Sequence, residues 1–485
     1  ALIGAPRHSG PLVSQCMLYV YLGSEAGLAG EPTAVHGGGQ AGAQAGMAVS
    51  GPGDIDGDGY GDYVFGLPGH DSAGGMDNGR AVVLRGADEI GNLPWWALES
   101  GQAFAGLDVQ VAGAGDVNGD GFDDLLIGLP SADCWAVDDD AGMALVFYGS
   151  GGGARLESAW HAFGEQDNGG HFGYAVSSAG DVNGDGYGDV LLGAPEYERE
   201  YPLEGRVTLH MGSAGGLGDT PAWEVHGGQE GAFLGYTAAH AGDVNNDGYA
   251  DVLIAAPWHN AAEINDGRVQ LYLGSPEGLS QSPVWSGTGG RANESFGTSV
   301  SGAGDVNGDG FDDVIVGACN ASYGEEEEGR AYVFLGTPDG LSASPAWVAE
   351  GGAMDTNLGC SVSCAGDVNA DGYSDILVGA HNATHGQQCE GQARLFLGSA
   401  GGPSQTAAWT AESDQANAKF GYSVSGAGDV NGDGYDDVVV GAPHKDDGNA
   451  IDRGQVYVYF GGAAGLSPAH GWTQKGLRAG DGVGL

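Results

Sequence analysis

Several features are scarce in this chain, and each scarcity excludes a class of protein. Only 15 of the 485 residues are Lys or Arg, against 65 Asp and Glu, so the formal net charge is −50. A field of that sign repels nucleic acid and anionic membrane surfaces, and we expect neither as a partner. Six cysteines are too few for a disulfide framework at this length. No apolar run approaches the roughly 18 residues of a membrane span, so membrane insertion is not expected.

Glycine is abundant, with 97 residues, but it shows no G-X-Y period, and this excludes a collagen. The chain instead repeats one nine-residue acidic phrase, D-x-[DN]-x-D-G-[YF]-x-D, seven times at intervals of 62 or 65 residues. A period of this length indicates a propeller, a solenoid or another array of small units. The copies begin at Asp54, Asp116, Asp181, Asp243, Asp305, Asp367 and Asp429.

Short alternating segments surround each phrase and predict β-strands. In the third copy they are residues 174–177, 190–192 and 206–211, followed by a Gly-rich turn and a segment that begins at Trp223. Four short strands per unit, with turn signals between them and no helical period, predict an all-β fold. Four-stranded sheets repeated around an axis form a β-propeller. Tryptophans at positions equivalent to Trp160 close the later repeats: Trp223, Trp285, Trp347, Trp409 and Trp472.

The number of blades follows from the predicted third strands, of which there are eight against seven acidic phrases. We therefore expect one propeller over residues 1–485, with a partial first repeat at 1–45 that holds strands two to four. Seven full repeats follow at 46–475, and residues 476–485 begin a further repeat that can close the ring. Eight blades are favoured and seven are the alternative. The third strands are predicted at 17–22, 81–84, 144–148, 206–211, 268–273, 330–335, 393–397 and 455–460.

The acidic phrase has the chemistry of a calcium loop. Calcium binds six to eight oxygens in a tolerant geometry, and a tight loop offers side-chain oxygens at positions 1, 3 and 5, a carbonyl at position 7 and a carboxylate at position 9. Glycine at position 6 predicts a turn with positive φ. The aromatic side chain at position 7 is free to pack between blades. The predicted ligands of about seven structural Ca²⁺ sites are Asp54, Asp56, Asp58, Tyr60, Asp62; Asp116, Asn118, Asp120, Phe122, Asp124; Asp181, Asn183, Asp185, Tyr187, Asp189; Asp243, Asn245, Asp247, Tyr249, Asp251; Asp305, Asn307, Asp309, Phe311, Asp313; Asp367, Asn369, Asp371, Tyr373, Asp375; and Asp429, Asn431, Asp433, Tyr435 and Asp437.

Two alternatives for the phrase fit less well. EF-hands share D-x-D-x-D-G but require Glu at position 12 and flanking helices, whereas position 12 here is apolar, as at Ile127 and Leu192. Magnesium demands strict octahedral coordination with several waters. A polar turn without metal would place three or four carboxylates or amides together in seven copies, where the carboxylates repel one another.

The residues that frame the phrase resemble a known family. Phe172-Gly173 and Gly193-Ala194-Pro195 flank the third copy, and the frame recurs at Phe296-Gly297 and Phe420-Gly421. They resemble the FG-GAP repeats of integrin α-subunit propellers. The resemblance implies a propeller with calcium in the hairpin between the first two strands of a blade and a ligand-binding face on the opposite side.

Other candidate sites fall in the loops after the second strands, on the predicted ligand face. His259, His381, His385 and His444 form either a transition-metal or substrate site or a set of separate surface histidines. Acidic runs at 138–140, 325–328 and 446–447 indicate a solvated surface or a docking patch for a basic partner. The aromatic residues there that can stack on sugars are Trp135, Tyr197, Tyr201, Trp258 and Tyr323.

Cysteine positions restrict the possible disulfides. Cys360 and Cys364 lie four apart on one predicted strand, roughly 13 Å between Cα atoms, too far for a bond. Cys16, Cys134, Cys319 and Cys389 fall in or near predicted loops, where disulfides are possible.

The favoured function is an extracellular or cell-surface calcium-binding propeller, secreted from a bacterial source, that serves as an adhesion or recognition module for a protein or carbohydrate ligand. No enzymatic activity is expected, because His36-Gly37-Gly38-Gly39 lacks an accompanying G-x-S-x-G nucleophile. The alternatives are a lectin or a structural surface or filament component that self-assembles or belongs to a larger parent chain. A polysaccharide-active enzyme is less favoured.

Overall fold

The computed structural model describes residues 2–5, 17–21, 28–29, 32–37, 49–67, 70–71, 80–86, 96–99, 110–132, 140–151, 158–164, 170–447, 451–476 and 482–484. Every regular element in these ranges is a β-strand. These ranges contain no helix that is long and apolar enough to cross a membrane.

The strands form one three-stranded sheet, seven four-stranded sheets and one small ribbon. The three-stranded sheet contains β1 (Leu2–Ala5), β2 (Met17–Val20) and β3 (Ala34–Gly37). The first three four-stranded sheets are β4 (Val49–Gly53), β5 (Asp62–Leu67), β6 (Arg80–Leu84) and β7 (Trp96–Glu99); β8 (Gln110–Gly115), β9 (Asp124–Leu129), β10 (Met143–Phe147) and β11 (Trp160–Phe163); and β12 (Ala175–Gly180), β13 (Asp189–Ala194), β14 (Arg206–His210) and β15 (Trp223–His226).

The remaining sheets continue the same order. They are β16 (Thr237–Gly242), β17 (Asp251–Ala256), β18 (Arg268–Tyr272) and β19 (Trp285–Thr288); β20 (Phe296–Gly304), β21 (Asp313–Ala318), β22 (Arg330–Phe334) and β25 (Trp347–Glu350); β26 (Leu358–Gly366), β27 (Asp375–Ala380), β28 (Gln392–Phe396) and β29 (Trp409–Glu412); and β30 (Val424–Gly428), β31 (Asp437–Ala442), β32 (Gln455–Tyr459) and β33 (Trp472–Lys475). A ribbon of β23 (Gly336–Thr337) and β24 (Gly340–Leu341) lies between β22 and β25.

Each four-stranded sheet is an antiparallel meander in chain order. In the third four-stranded sheet, Leu191 of β13 pairs with Ser177 of β12 on one side and with Leu209 of β14 on the other. Its second strand, β13, is buried along its whole length because neighbouring sheets cover both of its faces. This explains why second strands are continuous apolar runs rather than alternating ones.

The first strands of successive sheets lie side by side, which arranges the sheets around a common centre. These strands are rich in Gly, Ala and Ser, as in Gln110–Gly115, because the centre is crowded. A Cβ added at Gly113 would lie 2.8 Å from the carbonyl oxygen of Pro52 in the preceding sheet. The fold is therefore a β-propeller with seven four-stranded blades, and the predicted all-β architecture is confirmed. Each of the eight predicted third-strand segments overlaps a strand.

The apolar cores lie between blades rather than within one. Leu253, Leu271 and Trp285 of one blade pack against Val314 and Phe334 of the next. Among the described residues, the closing tryptophan also donates its Nε1–H to a backbone carbonyl of the following sheet, over 2.8–3.1 Å, in six cases: Trp160 to Gly218, Trp223 to Ser280, Trp285 to Ser342, Trp347 to Ser404, Trp409 to Ser467 and Trp472 to Ala29. Each blade thus depends on its neighbours for burial.

The three-stranded sheet contacts the first and the last four-stranded blades. Leu18 and Val20 pack with Phe65 of the first. On the other side, the ring of Tyr21 lies 4.4 Å from that of Trp472. Val483, near the end of the chain, is buried in the same cluster and bridges to Gly454.

Candidate metal sites

Each acidic phrase forms the hairpin between the first and second strands of its blade. The copy that begins at Asp181 follows β12 and ends at Asp189, the first residue of β13, and the other six copies have the same placement. Because the strands are antiparallel and the blades are arranged around one axis, all seven hairpins lie on one face of the ring.

The backbone of the hairpins is nearly identical. The glycine at position 6 has φ between 88° and 90° in all seven copies, which confirms the predicted positive φ. Position 4 also lies in the left-handed region, including the two copies where Asn246 and Ala370 replace glycine at φ 55°. The sequence interpretation missed this second requirement, although glycine at five of the seven copies was its signal.

Side-chain oxygens at positions 1, 3 and 5 gather above this backbone. The carboxylate at position 1 accepts N–H groups from positions 5 and 6, over 3.0–3.1 and 2.7–2.8 Å. The carboxylate at position 5 accepts the N–H of position 7 over 2.9–3.2 Å. In the first copy, ligand atoms of Asp54, Asp56 and Asp58 lie within 4.8 Å of one another. Carboxylate, amide and carbonyl oxygens are the donors that hard cations such as Ca²⁺ prefer, so the donor set fits that ion.

The position-9 aspartate sits beneath the loop, fully buried in six of the copies. One oxygen accepts the N–H of position 2 over 2.8–3.0 Å. The other accepts the N–H of a glycine that follows the third strand, over 2.7–2.8 Å. Burial raises the pKa of these carboxyls, to about 6 for Asp189 and about 7 for Asp251. This group therefore ties the hairpin to the sheet. In the first copy Asp62 lies outside the cluster that Asp54, Asp56 and Asp58 form within 4.8 Å.

The aromatic side chain at position 7 packs against the preceding hairpin, as predicted. A Cβ added at Gly119 would lie 2.5 Å from Cε1 of Tyr187, and Gly57 and Phe122 have the same relationship. The glycine at position 4 therefore makes room for the aromatic ring of the next blade.

Backbone hydrogen bonds also join successive hairpins. The N–H at position 8 donates to the carbonyl at position 1 of the preceding copy, as from Gly188 to Asp116 over 2.9 Å and from Ala250 to Asp181 over 3.0 Å. Where position 8 is aspartate, its side chain adds a second bond, from the N–H of Asp54 to Asp123. Because of these bonds, a conformational change in one hairpin displaces hydrogen-bond partners of the neighbouring hairpin.

The four candidate histidines do not converge in the part of the chain that the structure describes. His259 is buried, and the ring of His381 contacts that of Tyr422 edge-on, with centroids 5.4 Å apart. His385 lies 3.3 Å from Glu412 and His444 lies 3.1 Å from Asp452. These separate pairings favour individual roles over a shared metal site.

The loops on the opposite face contain a buried carboxylate that the sequence interpretation missed. Glu328 belongs to the acidic run 325–328, which was expected to be a solvated surface or a docking patch, but it is 2% exposed and accepts the N–H groups of Tyr323 and Gly324. Burial acts to raise its pKa, and the bonds from backbone N–H groups outweigh this and lower the pKa. The equivalents at the same 62-residue period are Glu204, Asp266 and Glu390, each directly before a glycine. The recurrence of an acidic residue before glycine at this period was the sequence signal that could have identified the buried carboxylates.

The predicted sugar-stacking aromatics lie in separate places. Arg206 lies over the ring of Tyr197 at 4.1 Å, and Arg291 and Arg330 each lie over the ring of Tyr323. Trp258 contacts Phe233 edge-on. Tyr201 is exposed. Trp135 and Asp138–Asp139 lie outside the described residues.

A disulfide joins two neighbouring blades. Cys319, just after β21, bonds to Cys360 in β26, with Cα atoms 4.6 Å apart. Cys364 is free, in agreement with the expectation that it cannot reach Cys360. The partner of Cys319 is therefore a strand residue of the next blade and not another loop cysteine. Cys16 and Cys134 lie outside the described residues.

Together the fold and the hairpins define a class of protein: a β-propeller whose four-stranded blades each contain an acidic hairpin between the first two strands. Six segments match the FG-GAP repeat, at residues 109–147, 172–209, 235–272, 296–334, 361–395 and 420–459. The chain belongs to the FG-GAP repeat proteins and has an integrin α-like β-propeller.

Curated relatives support this assignment. The chain is 33% identical to mouse integrin alpha-8 over 220 residues, which cover 43% of the chain and 20% of that protein. It is 31% identical to integrin alpha-5 of Xenopus laevis over 219 residues, 43% of the chain and 20% of that protein. It is 38% identical to mouse integrin alpha-IIb over 165 residues, 31% of the chain and 15% of that protein. The chain therefore spans a fifth or less of the length of these relatives.

Proposed function

We propose that this protein is an extracellular, calcium-stabilised propeller that acts as an adhesion or recognition module and not as an enzyme. Support comes from the relatives, which are integrin α chains, and from the seven matched acidic hairpins. The Cys319–Cys360 disulfide adds independent support, because such bonds persist in oxidising, extracellular compartments.

The observation that carries the calcium proposal is one backbone geometry repeated in seven acidic hairpins, with ligand atoms of Asp54, Asp56 and Asp58 within 4.8 Å of one another in the first. Side chains at positions 1, 3, 5 and 9 and the carbonyl at position 7 hold one Ca²⁺ per hairpin. A bound divalent cation offsets the repulsion among carboxylates such as Asp54, Asp56 and Asp58. Its role is structural, because the hairpins are bonded to one another and to the buried position-9 carboxylates.

Thermal unfolding tests this role. With excess EDTA the melting temperature falls, and calcium restores it, whereas magnesium at the same concentration restores much less. At free calcium a hundred times Kd, each independent site adds about 2.7 kcal/mol to the free energy of unfolding. A melting temperature that does not respond to EDTA or calcium contradicts the proposal.

We further propose that the three-stranded sheet is an eighth blade. Its contacts with both the first and last four-stranded blades support this arrangement. Val483 bridges Gly454 as Phe172 bridges Gly142, so residues 482–484 supply the start of the first strand that this blade lacks. Averaged electron micrographs of single particles, viewed along the axis of the ring, give the number of blades. A seven-fold ring with the N-terminal strands outside it contradicts the arrangement.

The proposed ligand surface is the face opposite the calcium hairpins. Its loops differ in sequence, but buried carboxylates such as Glu204 and Glu328 fix the loop bases. Variable loops on a rigid scaffold are where binding function concentrates. Immobilised protein probed with extracellular-matrix proteins and a glycan array tests this surface. Binding that persists when the loops at 321–327 and 383–389 are replaced by Gly-Ser linkers counts against it.

A further inference from the structure

Position 8 of the acidic phrase is not among the proposed calcium ligands, and its residue varies between copies. It is aspartate in the second, fifth and seventh copies and a small residue in the other four. The aspartates are Asp123, Asp312 and Asp436, and the small residues are Gly61, Gly188, Ala250 and Ser374. Because most other positions of the phrase are constant, this variation distinguishes hairpins that are otherwise alike.

The aspartate at position 8 bonds to the preceding hairpin. Oδ2 of Asp312, in the fifth copy, accepts the N–H of Asp243, at position 1 of the fourth copy, over 2.9 Å. The backbone N–H of Asp312 donates to the carbonyl oxygen of the same Asp243 over 3.2 Å. Glycine before position 1 leaves room for the carboxylate, since a Cβ added at Gly242 would lie 2.2 Å from Oδ2 of Asp312. One residue of the fifth hairpin thus holds both backbone groups of Asp243, and we call this pair of bonds a clamp.

Two further clamps have the same geometry. The N–H groups of Asp54 and Asp367 donate to Oδ2 of Asp123 and Asp436 over 2.9 and 2.8 Å. The return bonds, from the backbone N–H groups of Asp123 and Asp436 to the carbonyl oxygens of Asp54 and Asp367, measure 3.2 and 3.3 Å. The clamps therefore join the first hairpin to the second, the fourth to the fifth and the sixth to the seventh.

The other three neighbouring pairs have a weaker connection. The hydrogen bond that the structure describes between positions 8 and 1 is there the backbone one, from Gly188, Ala250 and Ser374 over 2.9–3.0 Å. Glycine and alanine have no side-chain acceptor, and serine carries no charge, whereas hydrogen bonds to a carboxylate are the stronger kind. The hairpins are therefore connected unequally around the ring.

A clamp connects the proposed calcium ligands of two hairpins. Asp312 lies between Phe311, whose carbonyl is a proposed ligand of the fifth hairpin, and Asp313, its buried position-9 carboxylate. Asp243 supplies the position-1 carboxylate of the fourth hairpin. When Phe311 and Asp313 are held in a loaded fifth hairpin, Asp312 is held with them, and so is the backbone of Asp243. The fourth hairpin then loses less conformational entropy on binding its own ion, which gives positive coupling.

We propose that Asp123, Asp312 and Asp436 are positioning residues that couple calcium binding within three pairs of hairpins: the first and second, the fourth and fifth, and the sixth and seventh. The coupling is reciprocal, because each hairpin of a pair must raise the affinity of the other by the same factor. The inference rests on the proposed structural role of calcium and adds the order in which the hairpins fill.

The fourth hairpin is the reporter in the test, because it has a clamped neighbour on one side and an unclamped neighbour on the other. Hydrogen–deuterium exchange with mass spectrometry, on the full chain titrated with calcium, gives the calcium concentration that half-protects residues 243–251. Asp309→Ala removes a proposed ligand of the clamped fifth hairpin and raises this midpoint about fivefold or more. Asp185→Ala makes the same change in the unclamped third hairpin and raises it by less than about twofold.

Removing the clamp separates its effect from those of other contacts between hairpins. Asp312→Ala gives the fifth copy the residue that the fourth copy has at position 8, Ala250. In that background the midpoint of the fourth hairpin no longer responds to Asp309→Ala. Conversely, Ser374→Asp adds a carboxylate between the fifth and sixth hairpins, so that loss of a ligand in the sixth then shifts the midpoint of the fifth.

The outcomes separate this inference from the calcium proposal. Equal responses of the fourth hairpin to both neighbours, or a response that survives Asp312→Ala, overturn the coupling while calcium binding stands. Absence of calcium-dependent protection in every hairpin contradicts the calcium proposal and this inference with it. Melting temperatures in EDTA within a few degrees of wild type show that the variants fold. If Asp312→Ala falls outside that range, Asp312→Ser, with the residue found at 374, replaces it.

Discussion

Arg85 donates from Nε to Oδ2 of Asp58 over 3.1 Å, and its guanidinium also pairs with Asp56. Both aspartates belong to the first hairpin, which is the only copy with Asp rather than Asn at position 3. In the other six repeats the residue equivalent to Arg85 is uncharged: Tyr148, Met211, Leu273, Leu335, Leu397 and Phe460. The repeat with the additional aspartate, Asp56, is therefore also the repeat with the arginine. The guanidinium of Arg85 lies beside the oxygens that calcium would use.

Replacing Arg85 with leucine should therefore raise the calcium affinity of the first hairpin. The substitution removes a competing cation and restores the side chain found in three other repeats. Native mass spectrometry at limiting calcium should show one fewer ion on the wild type than on Arg85→Leu. The matched control, Asp56→Asn with Arg85→Leu, reproduces the composition of the other hairpins and should bind as they do. Equal ion counts for wild type and Arg85→Leu contradict the competition.

The two kinds of carboxylate in one hairpin should respond differently to calcium. Asp189→Asn replaces a buried acceptor of two backbone N–H groups with a side chain that has one acceptor oxygen, so it should already cost about 3 kcal/mol in EDTA, before any loss of calcium binding is added. Asp185→Asn changes an exposed position-5 oxygen and should cost about 0.5 kcal/mol or less in EDTA. In calcium, Asp185→Asn should lose part of the metal-dependent stabilisation.

Chemical unfolding of both variants with and without calcium measures this difference. If Asp189→Asn is harmless in EDTA, the position-9 carboxylate does not hold the hairpin to the sheet. If Asp185→Asn keeps the full calcium response, position 5 is not a ligand.

The local pattern predicted the strands and hairpins because short alternating segments and one nine-residue phrase define them. Gly59 at position 6 sets the backbone conformation of its turn, and Trp223 at the start of a fourth strand is buried. The equivalent residues do the same in the other repeats, as far as the structure describes them. The pairs that sequence reasoning missed connect residues far apart in the chain. Cys319 and Cys360 are 41 residues apart, and Arg85 lies 27 residues from Asp58. Their contacts depend on how the blades twist and stack.

The burial of Glu328 was missed for a different reason. A run of four glutamates has the composition of a solvated surface, and composition does not distinguish the last residue from the other three. Only the fold turns that side chain under its own loop, where backbone N–H groups need an acceptor.

The disulfide between Cys319 and Cys360 should stabilise the junction of two blades. A bond that closes a segment of this length contributes about 2–4 kcal/mol in the chain-entropy description. Cys360→Ser should lower the melting temperature accordingly, and a reducing agent should lower that of the wild type but not of the variant. Cys364→Ser, four residues along the same strand, is the matched control and should behave as wild type. A wild-type melting temperature that is insensitive to reduction would refute this role.

Buried His259 should make the protein less stable as the pH falls below 7. Burial, with a smaller contribution from Arg268, lowers the pKa of His259 to about 4. The unfolded chain binds a proton near the ordinary pKa of 6.5 while the folded chain does not, so stability is lost as the pH falls from 6.5 towards 4. By pH 5 this one group costs the wild type about 2 kcal/mol relative to its stability at pH 7. His259→Leu lacks the titrating group, so its stability should decline less than that of the wild type over the same range. Unfolding in excess calcium at pH 7, 6 and 5 measures the difference, with exposed His385→Leu as the control. Parallel declines for wild type and His259→Leu would show that folding leaves the pKa of His259 at its ordinary value.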